Sequence, residues 1–573
     1  DADFTQNNNI PSINQVVVAE NDCDQSDEQT ASGTNFAICS NDDAQNTIES
    51  ITQDNEADGT HVDDIFQDNR GSFSQVMTLN NGCDATTFTD DGDNFAICEN
   101  DFAENFIGPV DQENIAHGDD DVLFDQDNNI AVSQVITANN DCDTTAQSIA
   151  TCTNFEPNTG VNSVTQDNTA TATGLAIILQ GNDLDVDQNA NLLNSCDESG
   201  AGINSADCDN DDVELFSGPI VQTNTVTDAA QSDTVSQSNG AQISQNLDEI
   251  NDCDEENTGD TDVVCSKEDT EFGISVDQTN DGTVGDDTVQ SNFVGVVQDI
   301  QLKNLCDETG IGDNTADCFN TESDAGAGSV VQSNDALGSG DADFTQNNNI
   351  PTLGQAVVAE NDCDQSDEQT ASGLNFANCS NDQADNFMNS ITQTNDAEGT
   401  HVDDIFQDNT GSFSQSLTVG NGCDATTFTD DGDNAALCTN LNDINFIDQI
   451  SQTNDATGGD DVLIDQDNNI DVSEVLTAHN DCDSTAENNA DCTNDEAENT
   501  IISIAQENLA TGDDLAQILQ SNDATINQNI ELLNSCDESG AGINSADFKN
   551  IDALNQIGPI FQSNDATGAD TSA

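Results

Sequence analysis

The chain has 573 residues, and its 114 acidic residues against four basic ones give a net charge of -110. Electrostatic repulsion therefore disfavours nucleic acids and anionic membranes as partners. The apolar runs of the sequence stay far below the roughly 20 residues of a membrane helix, so membrane insertion is not expected.

High charge with modest hydrophobicity is typical of disordered chains, but the apolar residues recur at regular offsets, which favours a folded chain. The acidity is also typical of proteins adapted to high salt. At molar ionic strength the Debye length is about 3 Å, and repulsion then acts only between near neighbours. The sequence begins at Asp1 without a Met or a signal peptide, so we expect a mature chain or part of a longer one.

The first 33 residues recur from Asp341 with four differences, and the offset of 340 residues holds for later landmarks. A long internal duplication explains this match. A Cys-Asp dipeptide also returns every 53 to 60 residues, which divides the chain into ten units. The predicted units are residues 1–61, 62–120, 121–174, 175–231, 232–286, 287–340, 341–401, 402–460, 461–514 and 515–573.

Each unit is predicted to contain about four short strands separated by Gly, Asn, Asp and Thr. In unit 1 a Gln-x-Asn strand is followed by a strand that ends near Cys23, an acidic loop, a strand with Cys39, and the strand from Ser50 to Gly59. The units could fold as separate small sandwiches, but each has few apolar residues, so its covered face needs a neighbour. We therefore predict an all-β fold, a repetitive β-solenoid or stacked β-sheet rod of about ten disulfide-stapled units.

The Ser50–Gly59 strand places Ile51, Gln53, Asn55 and Ala57 on one face, because successive side chains of a strand point to opposite faces. Similar segments occur in all ten units. Amides stacked on identical neighbours can each donate and accept a hydrogen bond along the stack. The predicted ladder residues are Gln53, Asn55, Gln112, Asn114, Gln166, Asn168, Gln222, Asn224, Gln278, Asn280, Gln332, Asn334, Gln393, Asn395, Gln452, Asn454, Gln506, Asn508, Gln562 and Asn564.

Nine units carry a second cysteine, and the tenth has Phe548 at that position. Pairing the first with the second cysteine of each unit predicts disulfides and an oxidising, extracellular setting. Thiolate metal sites are the alternative, but the chain has no C-x-x-C and only four histidines. Cys536 is left as a free thiol, an intermolecular partner, or the partner of a cysteine outside this sequence. The predicted disulfide residues are Cys23, Cys39, Cys83, Cys98, Cys142, Cys152, Cys196, Cys208, Cys253, Cys265, Cys306, Cys318, Cys363, Cys379, Cys423, Cys438, Cys482 and Cys492.

Acidic loops offer oxygen ligands for calcium, but none matches an EF-hand loop or a calcium-binding β-roll repeat. A diffuse atmosphere of counterions is therefore favoured over ordered Ca2+ sites, and no other cofactor is expected. The histidines have no neighbouring nucleophile pattern, so we expect no catalytic residues and no enzyme. The weak metal candidates are Asp90, Asp91, Asp93, Asp119, Asp120 and Asp121.

The Gln-x-Asn-x-Ala core, carried by Gln53, Asn55, Ala57 and their counterparts, resembles the curlin repeat of curli-type functional amyloid. Eight of the ten segments carry the Ala, and Val226 and Gly282 replace it in the other two. The curlin pattern has Q-x-G-x-N where this chain has Q-x-N, and the resemblance covers only these short strands. It implies a secreted β-solenoid subunit that assembles into fibres.

These observations predict an extracellular or cell-surface structural protein whose partners are copies of itself and cations. Uncapped solenoid ends are strand edges, so two complementary ends suffice for polymerisation into a filament or a surface layer. The alternative is a repetitive surface adhesin or cation-binding stalk that carries a separate binding domain.

Overall fold

The computed structural model describes nineteen segments of the chain. They are residues 3–27, 34–59, 64–87, 93–118, 122–145, 147–200, 203–229, 234–257, 260–285, 287–310, 313–338, 342–367, 374–399, 401–427, 433–459, 462–485, 487–512, 516–539 and 545–567.

The first of two sheets consists of ten long parallel strands, one from each repeat of the chain. Its strands are β1 (Asp3–Asp27), β4 (Asp64–Thr87), β7 (Val122–Thr145), β10 (Ala176–Gly200), β12 (Thr234–Asn257), β14 (Asp287–Gly310), β17 (Ala342–Asp367), β20 (Val402–Thr427), β23 (Leu463–Thr485) and β26 (Gln517–Ser539).

The second sheet packs against the first and is also parallel from one repeat to the next. We call each pass of the chain through both sheets a rung, so that β1 to β3 form rung 1 and β26 to β29 form rung 10. The strands of the second sheet are β2 (Thr34–Ile48), β3 (Ile51–Gly59), β5 (Asp93–Ile107), β6 (Val110–Gly118), β8 (Gln147–Val161), β9 (Val164–Ala172), β11 (Asn204–Ala229), β13 (Thr261–Val284), β15 (Asn314–Ala327), β16 (Val330–Gly338), β18 (Leu374–Met388), β19 (Ile391–Gly399), β21 (Asp433–Leu441), β22 (Ile444–Gly458), β24 (Glu487–Asp495), β25 (Glu498–Gly512), β27 (Ser545–Ile551), β28 (Leu554–Ile557) and β29 (Ile560–Thr567).

Equivalent residues of successive rungs lie in register. Cys23 pairs with Cys83 in the first sheet, and Asn55 pairs with Asn114 in the second. The described residues form strands and no helix, and none of them could therefore supply a membrane-spanning helix. The predicted fold class, an all-β solenoid of stacked sheets with disulfide-linked units, is confirmed.

Strand lengths differ from the prediction of about four short strands in each unit. The segment Asp3–Asp27 is one strand, where the sequence suggested a turn between a Gln-x-Asn strand and a strand ending at the Cys-Asp. Its polar Asn and Gln residues do not turn the chain, because every second one points inward and bonds another amide. A strand of 24 residues spans roughly 80 Å at about 3.3 Å per residue, whereas nine intervals of about 4.8 Å make the stack roughly 43 Å tall.

The interior between the sheets is divided into bands that run up the stack. Four apolar bands, marked in rung 2 by Ile65, Phe73, Met77 and Cys83, alternate with three bands of buried amides. Apolar burial supplies the driving force for packing. The amide bands then need internal hydrogen bonds, because an unpaired buried amide is costly.

One residue of the second-sheet strand lies in the left-handed region in most rungs, for example Phe102 (φ 54°) and Glu156 (φ 49°). This conformation interrupts the alternation of the strand, so that Asn100 and Ala103 both face the interior although they are three residues apart. The kink fixes which residues of the second sheet meet the first.

Candidate assembly site

The first amide band contains the predicted ladder residues of the second sheet and equivalent residues of the first. Asn55 Nδ2 donates to Asn114 Oδ1 of the next rung (3.0 Å) and, across the sheets, to Asn69 Oδ1 (3.0 Å). Gln112 Nε2 donates to Gln53 Oε1 of the rung before (2.7 Å). The second-sheet amides of this band are buried in rungs 1 to 9, whereas Gln562 and Asn564 of rung 10 are exposed at the end of the stack.

The two kinds of amide donate in opposite directions along the stack. Each Asn column of the interior passes its hydrogen bonds toward the next rung, as Asn69 does to Asn128 (3.0 Å). Each Gln column passes them toward the previous rung, as Gln126 does to Gln67 (2.8 Å). Consequently the two ends of the stack present different hydrogen-bonding groups.

Sequence reasoning missed a third amide band beside the cysteines. Asn81 Nδ2 donates to Asn100 Oδ1 (3.0 Å) and to Asn140 Oδ1 (3.0 Å), and every rung has an Asn at the position of Asn81. The signal was present, because each of the ten Cys-Asp dipeptides has an Asn two residues earlier.

Two buried charges interrupt the columns at rung 5. Lys267 lies between Asn210 and Asn320 in a second-sheet column, and Glu249 lies between apolar residues of the first sheet. Lys267 Nζ donates to the backbone oxygens of Glu249 and of Lys303 (3.0 Å). Burial raises the pKa of Glu249 to about 7, although the nearby Lys267 opposes this shift, and burial lowers the pKa of Lys267 to about 7.

The cysteines form a single zigzag column between the sheets. Each second-sheet sulfur lies between the first-sheet sulfurs of its own rung and of the next rung. Cys152 Sγ, for example, is 2.6 Å from Cys142 Sγ and 2.6 Å from Cys196 Sγ. The column is buried except at its ends, where Cys23 and Cys536 are partly exposed.

The disulfides differ in part from the predicted pairing within units. Cys23 and Cys39 are joined within rung 1. The bonds that join neighbouring rungs are Cys208–Cys253, Cys438–Cys482 and Cys492–Cys536. Cys318 lies next to both Cys306 of its own rung and Cys363 of the next rung, and it can form a disulfide with only one of them. Stacking is the physical reason, because it brings the next rung's cysteine as close as the partner in the same rung. Cys536, left over in the predicted pairing, thus has a partner in rung 9.

The remaining predicted disulfide residues also lie in this column, and the structure contains no bond at them. They are Cys83, Cys98, Cys142, Cys152, Cys196, Cys265, Cys379 and Cys423. The disulfides that are present indicate an oxidising, extracellular environment.

Carboxylates cover the outer faces of both sheets in columns. Asp54, Glu113 and Asp167 occupy one such column in the second sheet. Burial and the like charges of its neighbours raise the pKa of Glu113. Of the weak metal candidates, Asp90, Asp91, Asp119, Asp120 and Asp121 lie outside the described residues, and Asp93 begins β5.

The described stack is open at both ends. Strands β1, β2 and β3 pair on one side only with rung 2, and β26 to β29 pair only with rung 9. Comparison of the chain with protein-family models, curated proteins and solved structures finds no match. Fold and site thus define a two-sheet parallel β-solenoid with internal amide ladders and two open edges.

Proposed function

We propose that this protein is an extracellular structural subunit whose copies stack end to end into a filament or surface fibre. The observation that carries this proposal is the complementarity of the two open ends. Rung 10 presents Asn donors and Gln acceptors, and rung 1 presents Asn acceptors and Gln donors. A second copy placed on rung 10 in the same register would continue every amide column.

Asn564 illustrates the complementarity at atomic detail. Its Oδ1 accepts hydrogen bonds from Asn508 (3.0 Å) and Asn522 (2.9 Å) of its own molecule. By the direction of the column, its Nδ2 would donate to Asn55 Oδ1 of the next copy. The backbone edge of β29 would pair in the same step, as parallel strands do inside the molecule.

The chain itself contains a close equivalent of the proposed junction. Rung 7 begins with a near copy of the rung 1 sequence, and β17 of rung 7 pairs in register with β14 of rung 6, including Gln346 with Gln290 and Cys363 with Cys306. A rung of this sequence is therefore able to stack on a preceding rung.

Charge favours growth at the ends over lateral association. The outer faces carry columns of carboxylates, which repel a second molecule side by side unless salt screens them. The inward positions exposed on the end rungs are amides and apolar groups, such as Gln562 and Ile560. Their burial by another copy would add apolar and hydrogen-bonding contacts without a large charge penalty.

The test compares two variants of one terminal strand that add the same charge. Asn564→Asp retains the two accepted hydrogen bonds but removes the donor to the next copy. Ser563→Asp changes the neighbouring outward position, whose column already contains Glu507. In molar salt, electron microscopy and sedimentation should show filaments for the wild type and Ser563→Asp, and single stacks for Asn564→Asp. Failure of the wild type to polymerise, or equal filaments from Asn564→Asp, would refute the proposal.

A further inference from the structure

A column of buried carboxylates occupies the end of the first sheet beyond the cysteines. Glu198 pairs in register with Glu255, and Glu255 with Glu308, so the three carboxylates lie on adjacent rungs. Their exposed fractions are 2 %, 2 % and 0 %. Thr144 occupies the same position one rung earlier, and Gln365 one rung later.

These carboxylates have few hydrogen-bond partners inside the protein. Among the residues that the structure describes, no group makes a hydrogen bond of normal geometry to either oxygen of Glu198, to either oxygen of Glu255 or to Oε1 of Glu308. Glu308 Oε2 accepts a bond from Gln365 Nε2 (3.1 Å). Within the described part of the chain, no lysine, arginine or histidine is among the main groups that influence them electrostatically. Three carboxylates buried in this way require protons or cations for compensation.

Other buried polar groups surround the column. The hydroxyls of Thr144 and Ser148 approach Glu198, and Nδ2 of Asn204 approaches Glu255, but none of the three makes a hydrogen bond of normal geometry. A groove of about 570 Å³ reaches this place and is lined by Thr144, Glu198 and Glu255 together with outward-facing Asp residues. The groove gives a small ion a path from solvent to the column.

The spacing of the rungs selects the size of the ion. Neighbouring strands lie about 4.8 Å apart, which is twice the 2.3–2.6 Å that separates Ca2+ from its oxygen ligands and more than twice the 2.0–2.1 Å of Mg2+. We propose that this column binds calcium ions, each held between the carboxylates of adjacent rungs, Glu198 with Glu255 and Glu255 with Glu308. The hydroxyl of Thr144 would add a ligand at one end.

Protons are the competing occupants of the same carboxylates. Burial raises the pKa of Glu198 to about 8, of Glu255 to about 10 and of Glu308 to about 9.

The test compares calcium binding to two triple variants that remove equal charge from the same three strands. The inward variant combines Glu198→Gln, Glu255→Gln and Glu308→Gln. It converts the column to amides, so that the column continues the amide of Gln365. The outward variant combines Asp187→Asn, Asp248→Asn and Asp299→Asn. It removes three carboxylates that face solvent far from the column.

Calorimetry in concentrated NaCl reports bound calcium, and thermal denaturation reports the stabilisation that binding gives. We expect calcium to bind the wild type and the outward variant and to raise their melting temperatures. The inward variant should lose both effects, and Mg2+ should give neither. An equal calcium response from the inward variant, or equal responses to Ca2+ and Mg2+, would overturn the proposal.

The sulfur column carries a second, independent inference. Nineteen sulfurs lie in single file, and a disulfide can join only neighbours in that file. Nine bonds are the most that these nineteen sulfurs can form among themselves, and they would leave one thiol. The count requires this thiol to lie at an odd position, which is always a first-sheet cysteine. The disulfides that precede the thiol in the chain lie within rungs, and those that follow it join neighbouring rungs.

The structure contains bonds of both kinds. Cys23–Cys39 lies within rung 1, whereas Cys438–Cys482 and Cys492–Cys536 join rungs near the other end. Cys318 contacts both of its neighbours at bonding distance. The two pairings are thus geometrically equivalent along the column.

We infer that the thiol moves along the column by thiol–disulfide exchange. In one step the Cys536 thiolate attacks Cys492, the Cys492–Cys536 bond forms, the Cys482–Cys492 bond breaks, and Cys482 leaves as a thiolate that takes up the proton lost by Cys536. No oxidant is consumed. Burial raises the pKa of the Cys265 and Cys379 thiols well above the usual range, so the exchange should be slow at neutral pH and faster in alkali.

Two cysteine variants each restrict the chain to one of the two disulfide pairings. Cys536→Ser leaves eighteen sulfurs that pair completely within rungs, and Cys23→Ser leaves eighteen that pair completely between rungs. Acid quenching, alkylation and peptide mapping without reduction should find one thiol in the wild type, spread over first-sheet cysteines and over both pairings. Each variant should show one pairing and no thiol. A wild-type thiol confined to Cys536, or found on second-sheet cysteines, would overturn the inference.

Discussion

The charge pair at rung 5 gives the sharpest test of how the columns stabilise the stack. Lys267 replaces the Asn found at this position in the other nine rungs. Glu249 replaces the apolar residue found in its neighbours, Leu192 and Leu302. The two substitutions compensate each other, because each alone would bury an unpaired charge. We therefore consider Lys267→Asn, Glu249→Leu and the double variant.

The destabilisation expected for Lys267→Asn follows from the free-energy cost of burying the Glu249 carboxylate without a partner. Removing one partner of a buried pair costs about 3 to 5 kcal/mol. Protonation of Glu249 limits this cost at pH 7, because neutralising a carboxyl of ordinary pKa 4.5 costs roughly 3 kcal/mol there, at 1.36 kcal/mol for each unit. The new Asn would regain about 1 kcal/mol by joining Asn210 and Asn320 in the column. We expect Lys267→Asn to destabilise the protein by about 2 kcal/mol at pH 7.

The double variant should recover this loss. With Leu at residue 249 and Asn at residue 267, both columns regain the chemistry of their neighbours, and stability should equal or exceed that of the wild type by about 1 to 4 kcal/mol. The penalty of Lys267→Asn alone should grow between pH 5 and 8. A raised pKa in the folded state favours folding at low pH, and this advantage is lost as the pH rises and the carboxyl must ionise.

Unfolding of a repeat stack need not be two-state, so the assay must report on individual rungs. Hydrogen exchange measured by mass spectrometry gives the opening free energy of peptides in rungs 4 to 6, and those of rung 9 serve as the internal control. Denaturation midpoints provide a second measure. If the double variant were less stable than either single variant, or if the penalty did not change with pH, the compensation argument would be wrong.

Three further predictions concern other parts of the stack. Gly108→Ala should destabilise rung 2 strongly, because the new Cβ would overlap the backbone oxygen of Glu49. Gly82→Ala, whose new Cβ would have its nearest atom at 3.9 Å, should be nearly neutral in denaturant melts. Glu474→Gln should stabilise by about 1 to 3 kcal/mol, because Gln415 Oε1 lacks a partner beside this carboxyl. Burial raises the pKa of Glu474 to about 7, so the gain should increase from pH 5 to 8; a pH-independent difference would contradict this assignment. Dialysis from molar to low salt with chelator should shorten or dissociate assemblies, and unchanged circular dichroism and particle length would argue against screening as the cause.

The sequence was sufficient for the features that depend on alternation and repetition. The two-residue period placed Gln53 and Asn55 on one face, and the Cys-Asp spacing aligned the rungs. Features that depend on contact between segments distant in the sequence could not be predicted from the sequence. The kink at Phe102 has no distinctive residue type, and the equal distance of Cys152 from two partners appears only after stacking. The compensation between Lys267 and Glu249 likewise needs both sheets to be aligned.

The opposite orientation of the Asn and Gln columns has an electrical consequence for a growing stack. A side-chain amide carries a dipole, and a column of amides aligned head to tail would accumulate that dipole with every added rung. Because Asn69 donates toward one end of the stack and Gln67 toward the other, neighbouring columns partly offset each other's field. The dipole that accumulates as rungs are added is therefore smaller than it would be if all amide columns had one orientation.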